Sequence, residues 1–303
     1  MRTLAELVAD GVIERDVPLA PLTTYRFGGP ARYYLEARDE GEVREVAAAL
    51  ALEPVPILVL GRGSDLVVSP AGFPGLVIHP GAGLGGVAVR GDGRVVAGAA
   101  ASQPSVARRS AAAGRGGLEY MVGIPGSVGG AVCTNSGCHG TDTAEWLVTA
   151  RVVDLCSGEV RDRGVGELGL AYRHSGLAQT DMVVEATFRT VPRPRREAEG
   201  IMREITRWRR EHQPGGTLNA GSVFKNPPGD AAGRLIDSLG LKGLRVGGIS
   251  VSERHANFFV AEAGASAQDL YDLVAEVRRR VREGAGVDLE PEVRFVGPFR
   301  EPS

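Results

Sequence analysis

The placement of glycine restricts this chain more than any other feature. Its 303 residues include 43 glycines, about twice the usual share of roughly 7%. Low-complexity disorder would spread them through polar tracts. Here they cluster beside β-branched runs, as in Leu60-Gly61-Arg62-Gly63 and Gly126-Ser127-Val128-Gly129-Gly130. Glycine is needed where backbone turns with positive φ or comes close to a ligand. Several such clusters in one chain imply a large ligand held by main chain.

The first cluster, Gly61 to Leu66, follows the apolar run Pro56 to Leu60, which reads as a buried strand feeding a loop. Successive free N–H groups in such a turn form a nest for phosphate oxygens. It is not a dinucleotide fingerprint, because the third Gly is missing and β-branched residues follow Leu66 in place of a helix. It also lacks the Gly-Lys-Ser/Thr of a P-loop. Taken alone it reads equally well as a plain tight turn. The second cluster, Gly117 to Ala131, is a long track of small residues in which Pro125-Gly126 sets a turn. Two such loops in successive subdomains suit the pyrophosphate of an extended dinucleotide. Neither carries a clear catalytic side chain, as expected of a cofactor site.

The chain is long enough for two or three domains. Residues 1–80 mix short strands and helices, including a helix through Val43, Val46, Ala47 and Leu50 and a strand at Leu76 to Ile78. Residues 81–192 are mostly β, with one helix from Pro104 to just before Gly114. Pro192-Arg193-Pro194 marks a boundary. Residues 193–303 then hold an amphipathic helix through Ile201, Met202, Ile205 and Trp208. A second helix runs from Ala267 to Glu283, with a Ser266/Asp269 capping box and Gly284 as its stop. Short strands are expected at Val223-Phe224, Asn257 to Val260 and Val293 to Val296.

Lys+Arg and Asp+Glu nearly cancel, leaving a formal charge of −2, which argues against a nucleic-acid partner. Cys133, Cys138 and Cys156 have no metal-ligand spacing and read as small buried hydrophobes in a reducing compartment. No metal site is expected. The start of the chain turns acidic before any long apolar run, so no secretory signal is read there. No stretch approaches the ~20 apolar residues of a membrane span. His174 and His255 are acid–base candidates that more often serve as structural hydrogen-bonders. Ser222 lacks a His/Asp neighbour and a nucleophile-elbow context, which disfavours hydrolase chemistry.

Seven motifs stand in order: Thr23 to Ala31, the Gly61–Leu66 loop, the Gly117–Ala131 track, Tyr172-Arg173-x-Ser175, Gly221-Ser222-x-Phe224-Lys225-Asn226-Pro227, His255-Ala256-Asn257-Phe258 and Glu292-Val293-Arg294. From about residue 20 to 297 the series resembles the UDP-N-acetylenolpyruvoylglucosamine reductase (MurB) family of peptidoglycan synthesis. The short run from Tyr172 to the strand near Met182 resembles its type II branch. The resemblance implies an α+β chain, with a two-subdomain FAD-binding fold of the vanillyl-alcohol-oxidase type (1–80 and 81–192) followed by an α+β substrate-binding domain (193–303). It implies a cytoplasmic, monomeric oxidoreductase of cell-wall biogenesis, cell shape and division. That enzyme uses non-covalent FAD and NADPH on a UDP-sugar. By motif, the flavin contacts are Gly61, Arg62, Gly63, Ser64, Asp65, Leu66, Gly123, Ile124, Pro125, Gly126, Ser127, Gly129, Gly130, Asn135 and Val184. Arg173 matches the positive group that meets an enolate, Glu292 the catalytic carboxylic acid and Ser222 the proton donor to carbon. Tyr172, Asn226 and Arg209 or Arg210 match substrate contacts.

The chain departs from the family pattern at Asp65, where Asn is usual, at Ser136-Gly137-Cys138-His139, where Ala-Gly-Ala-Tyr is common, and at Ser250 and Ala261. Two competing readings follow. One is a related flavoprotein acting on another sugar or hydroxy acid. The other is a non-catalytic nucleotide-sugar or flavin-binding module.

Overall fold

The structure is a computed structural model that describes residues 2–302; Met1 and Ser303, at the outer ends of the first and last expected segments, lie outside the described residues. The chain groups into two compact units. The first comprises residues 1–15, 33–62 and 75–208, and the second residues 16–32, 63–74 and 209–303.

In the first unit the expected helix at Val43–Leu50 is Glu40–Leu52. Its N-cap Asp39 accepts from the Glu42 N–H at 3.0 Å. Its apolar stripe is fully used, with Val43, Val46, Ala47, Ala49 and Leu50 all buried. Fully burying a Val or Leu side chain contributes ~1.5–3 kcal/mol toward ordering the helix. The strand Ile57–Val59 runs parallel to the Leu76–Ile78 stretch of strand Phe73–Pro80. A five-stranded antiparallel sheet has the order Val160–Gly164, Leu147–Asp154, Asp181–Phe188, Val95–Gly98, Val87–Val89. Helix Gln103–Ala112 starts one residue earlier than Pro104 because Ser102 supplies the cap. Cys133 and Cys138 are half-buried against the core, as the sequence implies. Cys156 is not. It is exposed in the turn after Leu147–Asp154, where its N–H donates to Asp154 Oδ1.

Helix Arg195–His212 begins in this unit and buries only Ala198, Met202 and Ile205. Trp208, expected on the same stripe, remains 43% exposed and meets the His139 ring edge-on at 5.2 Å.

The second unit is built on helix Ala267–Ala285. Ser266 and Asp269 form the expected capping box. The helix passes through Gly284 and stops at Gly286, which takes the left-handed conformation that closes it (φ +70°). Leu270, Leu273, Val274, Val277 and Val281 pack on an antiparallel sheet ordered Arg245–Val246, Ile249–Val251, Phe259–Ala261. Tyr25 joins this core and donates its hydroxyl to the Phe259 carbonyl at 2.9 Å. Burial holds that phenol above its ordinary pKa. No helix among the described residues is long and apolar enough to cross a membrane.

Candidate functional site

The two Gly-rich segments meet within the first unit. Arg62 Nε donates to the Pro125 carbonyl at 3.2 Å. A Cβ added at Gly61 would stand 2.6 Å from Ser127 Oγ. That hydroxyl is already committed as the N-cap of helix Val128–Thr134, accepting from the Gly130 N–H. Gly129 N–H donates to the Ala99 carbonyl, and Ala99 N–H to the Val184 carbonyl. Ala99 therefore sits between Val184 and the small-residue track.

Beyond Arg62 the first loop continues in the second unit. Gly63 has φ +56°, and a Cβ there would lie 2.2 Å from the Leu22 carbonyl oxygen. Thr24 secures the same turn, donating its N–H and hydroxyl to the Gly63 carbonyl. Among the described residues, the main-chain N–H groups of Gly61, Arg62, Gly63, Ser64, Gly126 and Ser127 donate to no protein acceptor. Within the first unit, the unused donors of Gly61, Arg62, Gly126 and Ser127 form a cluster that fits a diphosphate-bearing ligand such as FAD. Asp65 sits where a carboxylate is least suited to such a ligand. Desolvation raises its pKa, and the Arg294 guanidinium opposes the shift only in part.

The loop leads into strand Leu66–Val68, which pairs in parallel with Arg294–Val296; Arg294 N–H also donates to the Asp65 carbonyl at 2.8 Å. This register delivers Glu292 beside the loop. Glu292 N–H in turn donates to the Val223 carbonyl at 2.7 Å, so Ser222 and Glu292 stand on adjacent segments. The Asn257 amide clamps the other side of that segment, accepting from Phe224 N–H at 2.9 Å and donating to the Phe224 carbonyl at 2.8 Å. Asn257 was only a motif position in the sequence, and nothing there revealed that it holds the Ser222 segment. Asn226 uses its side-chain oxygen to accept from the Ala232 N–H, capping helix Ala232–Ser238. His255 Nδ1 accepts from the Asn257 N–H, and burial lowers its pKa. The shift disfavours the imidazolium form, and the ring's bond to Asn257 gives it a structural hydrogen-bonding role.

Arg173 lies in the first unit on a tight hairpin closed by reciprocal bonds between Ala171 and His174, each 3.1 Å. Its φ is +52°, its guanidinium donates to the Gly137 carbonyl at 3.1 Å, and it lies 5.2 Å from the Tyr172 ring centroid. Arg209 and Arg210 stand at the C-terminal end of Arg195–His212, where Arg254 donates to the Arg210 carbonyl. An open cavity of about 540 Å³ lined by Arg161, Asp162, Arg163 and Glu167 contains none of these residues. Its Arg163 is already paired with Asp181 at 3.0 Å. Among the described residues no cluster of His, Cys, Asp and Glu is disposed to hold a metal.

Two family models match the chain. Residues 31–164 match the model of an FAD binding domain. Residues 213–296 match that of the UDP-N-acetylenolpyruvoylglucosamine reductase C-terminal domain. The chain is 40% identical to the UDP-N-acetylenolpyruvoylglucosamine reductase of Azorhizobium caulinodans, over 95% of this chain and 92% of that one. It is 42% identical to UDP-N-acetylenolpyruvoylglucosamine reductase 2 of Symbiobacterium thermophilum, over 97% and 96% respectively. The crystal structure of the Thermus caldophilus enzyme of that name superposes with a TM-score of 0.81 at 36% identity, covering 94% of this chain and 99% of that one.

Proposed function

Because this chain belongs to the UDP-N-acetylenolpyruvoylglucosamine reductase family, an oxidoreductase family with an α+β FAD-binding fold, we propose that it reduces UDP-N-acetylglucosamine enolpyruvate to UDP-N-acetylmuramate with non-covalent FAD and NADPH. The observation that carries this reading is the convergence in the second unit. The Gly63–Leu66 turn, Glu292 and Ser222 are joined there by the Leu66–Val68 and Arg294–Val296 pairing and by the Glu292-to-Val223 bond.

The turns at Gly61–Arg62 and Gly126–Ser127 in the first unit would hold the diphosphate of FAD through main-chain N–H groups. FAD held there would supply the hydride, originating in NADPH, that the terminal carbon of the enolpyruvyl group takes up. Negative charge then develops on the α-carbon and spreads into the carboxylate. Donors fixed in advance around that charge lower the barrier most. Arg173 provides a guanidinium charged at any working pH. Glu292 contributes as a donor in its protonated form. Ser222 gives its hydroxyl proton to the α-carbon, whose carbanion character makes it more basic than the alkoxide left on the serine. Tyr172, Asn226 and Arg209 or Arg210 contact the UDP-sugar, with an arginine meeting its diphosphate. The reading carries with it a cytoplasmic, monomeric enzyme acting on small molecules.

The test is an anaerobic absorbance experiment. NADPH should bleach the flavin band, and UDP-N-acetylglucosamine enolpyruvate should restore it within a turnover. Bleaching without return removes the substrate and favours a flavoprotein acting on another sugar or hydroxy acid. No flavin band after adding FAD removes the cofactor reading itself.

A further inference from the structure

Among the described residues five non-glycine residues have positive φ: Asp16, Arg26, Asn135, His139 and Arg173. Three of them, Asn135, His139 and Arg173, belong to one local constellation in the first unit. Such conformations persist only where the surroundings over-determine them. Arg173 occupies the second central position of the Ala171–His174 turn, where a left-handed φ calls for Gly or Asn. A side chain disfavours that conformation, so something must hold the arginine in place.

The restraints are visible. Asn135 is 2% exposed, and each polar atom of its side chain is engaged with protein. Its Nδ2 donates to the Ala171 carbonyl and to Asp142 Oδ2, both at 3.0 Å, and its Oδ1 accepts from the Ala144 N–H at 2.8 Å. On the far side of the hairpin, buried Ser175 donates its hydroxyl to the Cys133 carbonyl at 2.8 Å. Between the two, the Arg173 guanidinium donates to the Gly137 carbonyl. The hairpin is thus strapped at both ends to residues 133–135, the last turn and C-cap of the helix Val128–Thr134 that carries the end of the small-residue track. From this geometry we infer that Asn135 and Ser175 are positioning residues that set the Arg173 guanidinium for the step in which charge develops on the substrate. The inference rests on the role proposed for Arg173. It requires no contact of either side chain with substrate.

The test separates the two half-reactions in the holoenzyme. Ser175→Ala should leave flavin bleaching by NADPH unchanged and slow reoxidation by UDP-N-acetylglucosamine enolpyruvate roughly three- to tenfold. The loss should fall on kcat with KM held, and Ser175→Thr should restore the rate. Asn135→Gly keeps the left-handed cap and removes the strap from its side to the Ala171 carbonyl. The ratio of reoxidation to reduction should then fall by roughly tenfold or more. Its effect should be non-additive with Arg173→Lys, as expected for residues acting through one another. A readout independent of substrate is amide exchange over residues 169–176, which should accelerate at least about tenfold in Asn135→Gly, while in the first unit beyond the hairpin only the neighbourhood of Ala144, which loses its acceptor, changes with it. Equal slowing of both half-reactions, additivity with Arg173→Lys, or unchanged exchange in the hairpin would overturn the inference. Failure of the wild-type enzyme to be reoxidised by the enolpyruvyl substrate would overturn the proposed function instead, and the exchange measurement would still decide the strap.

Discussion

The Gly61–Leu66 turn and the Ala171–Ser175 hairpin both hold backbone in left-handed conformations, by opposite means. At Gly63 (φ +56°) the chain has no side chain at all, and a Cβ would collide with the Leu22 carbonyl. At Arg173 (φ +52°) it keeps a long charged side chain and surrounds it with side-chain-to-backbone bonds from Asn135, Ser175 and Arg173 itself. The first arrangement presents N–H groups to a ligand and needs emptiness. The second presents a guanidinium and needs struts. A ligand met by main chain and a ligand met by side chains therefore place contrary demands on sequence.

The sharpest way to break this contrast is to alter each kind of region and ask which property fails. Ser222→Ala removes one hydroxyl from the side-chain region. Turnover should fall by roughly 10²–10⁴-fold, read by steady-state assay, while the flavin spectrum persists. A smaller loss would remove Ser222 as the proton donor. Gly63→Ala acts on the backbone region and should do the reverse. Strain at positive φ costs ~1–3 kcal/mol, and the Leu22 carbonyl must move as well. Thermal unfolding should shift down by several degrees with bound FAD lost in parallel, measured by calorimetry and flavin release. Retention of full flavin occupancy would show that the turn tolerates a side chain and that emptiness is not its requirement.

The same contrast explains what could be read from the sequence. Helices Glu40–Leu52 and Ala267–Ala285 announce themselves because periodicity and a capping box are local signals. The Gly-rich turns are equally legible, since absent side chains leave a mark in composition. The struts are not. Asn135 reaches Ala171 across 36 positions and Asn257 reaches Phe224 across 33. A lone Asn has no local pattern that foretells such a partner. Arg62 to Pro125, across 63 positions, is hidden in the same way. Trp208 shows the converse failure. Helical spacing puts it on the apolar stripe, yet at 43% exposure it serves the His139 ring instead of the core, because periodicity gives a face but not where the core beneath it ends.

Asp65 tests the backbone region at its one ill-suited side chain. Desolvation raises its pKa, so the native state holds the proton more tightly than the unfolded chain, whose carboxylate titrates near ~3.9. The stability it contributes is present in full below about pH 3.9 and is lost as pH rises through the higher native value. A bound diphosphate would favour the neutral form further. FAD affinity should therefore weaken as pH rises through that window, by up to roughly tenfold for each unit of the difference in pKa between bound and free protein. Asp65→Asn should flatten the dependence and bind FAD more tightly at neutral pH, as measured by fluorescence titration across pH. An unchanged profile would mean that the carboxylate is turned away from the cofactor.

The smallest effect is expected at Arg62, and it sharpens the comparison most narrowly. Arg62 is the one long side chain in the bare turn, and its Nε bond to the Pro125 carbonyl is exposed. An exposed hydrogen bond competes with water, so its net contribution lies at the low end of the usual ~0.5–1.5 kcal/mol. Arg62→Ala should weaken FAD binding only about two- to fivefold, with thermal stability nearly unchanged. If the loss instead exceeds about a hundredfold, the guanidinium meets the diphosphate directly. The turn would then hold its ligand by a side chain, as the hairpin does, and the division between the two regions would fail at its most exposed point.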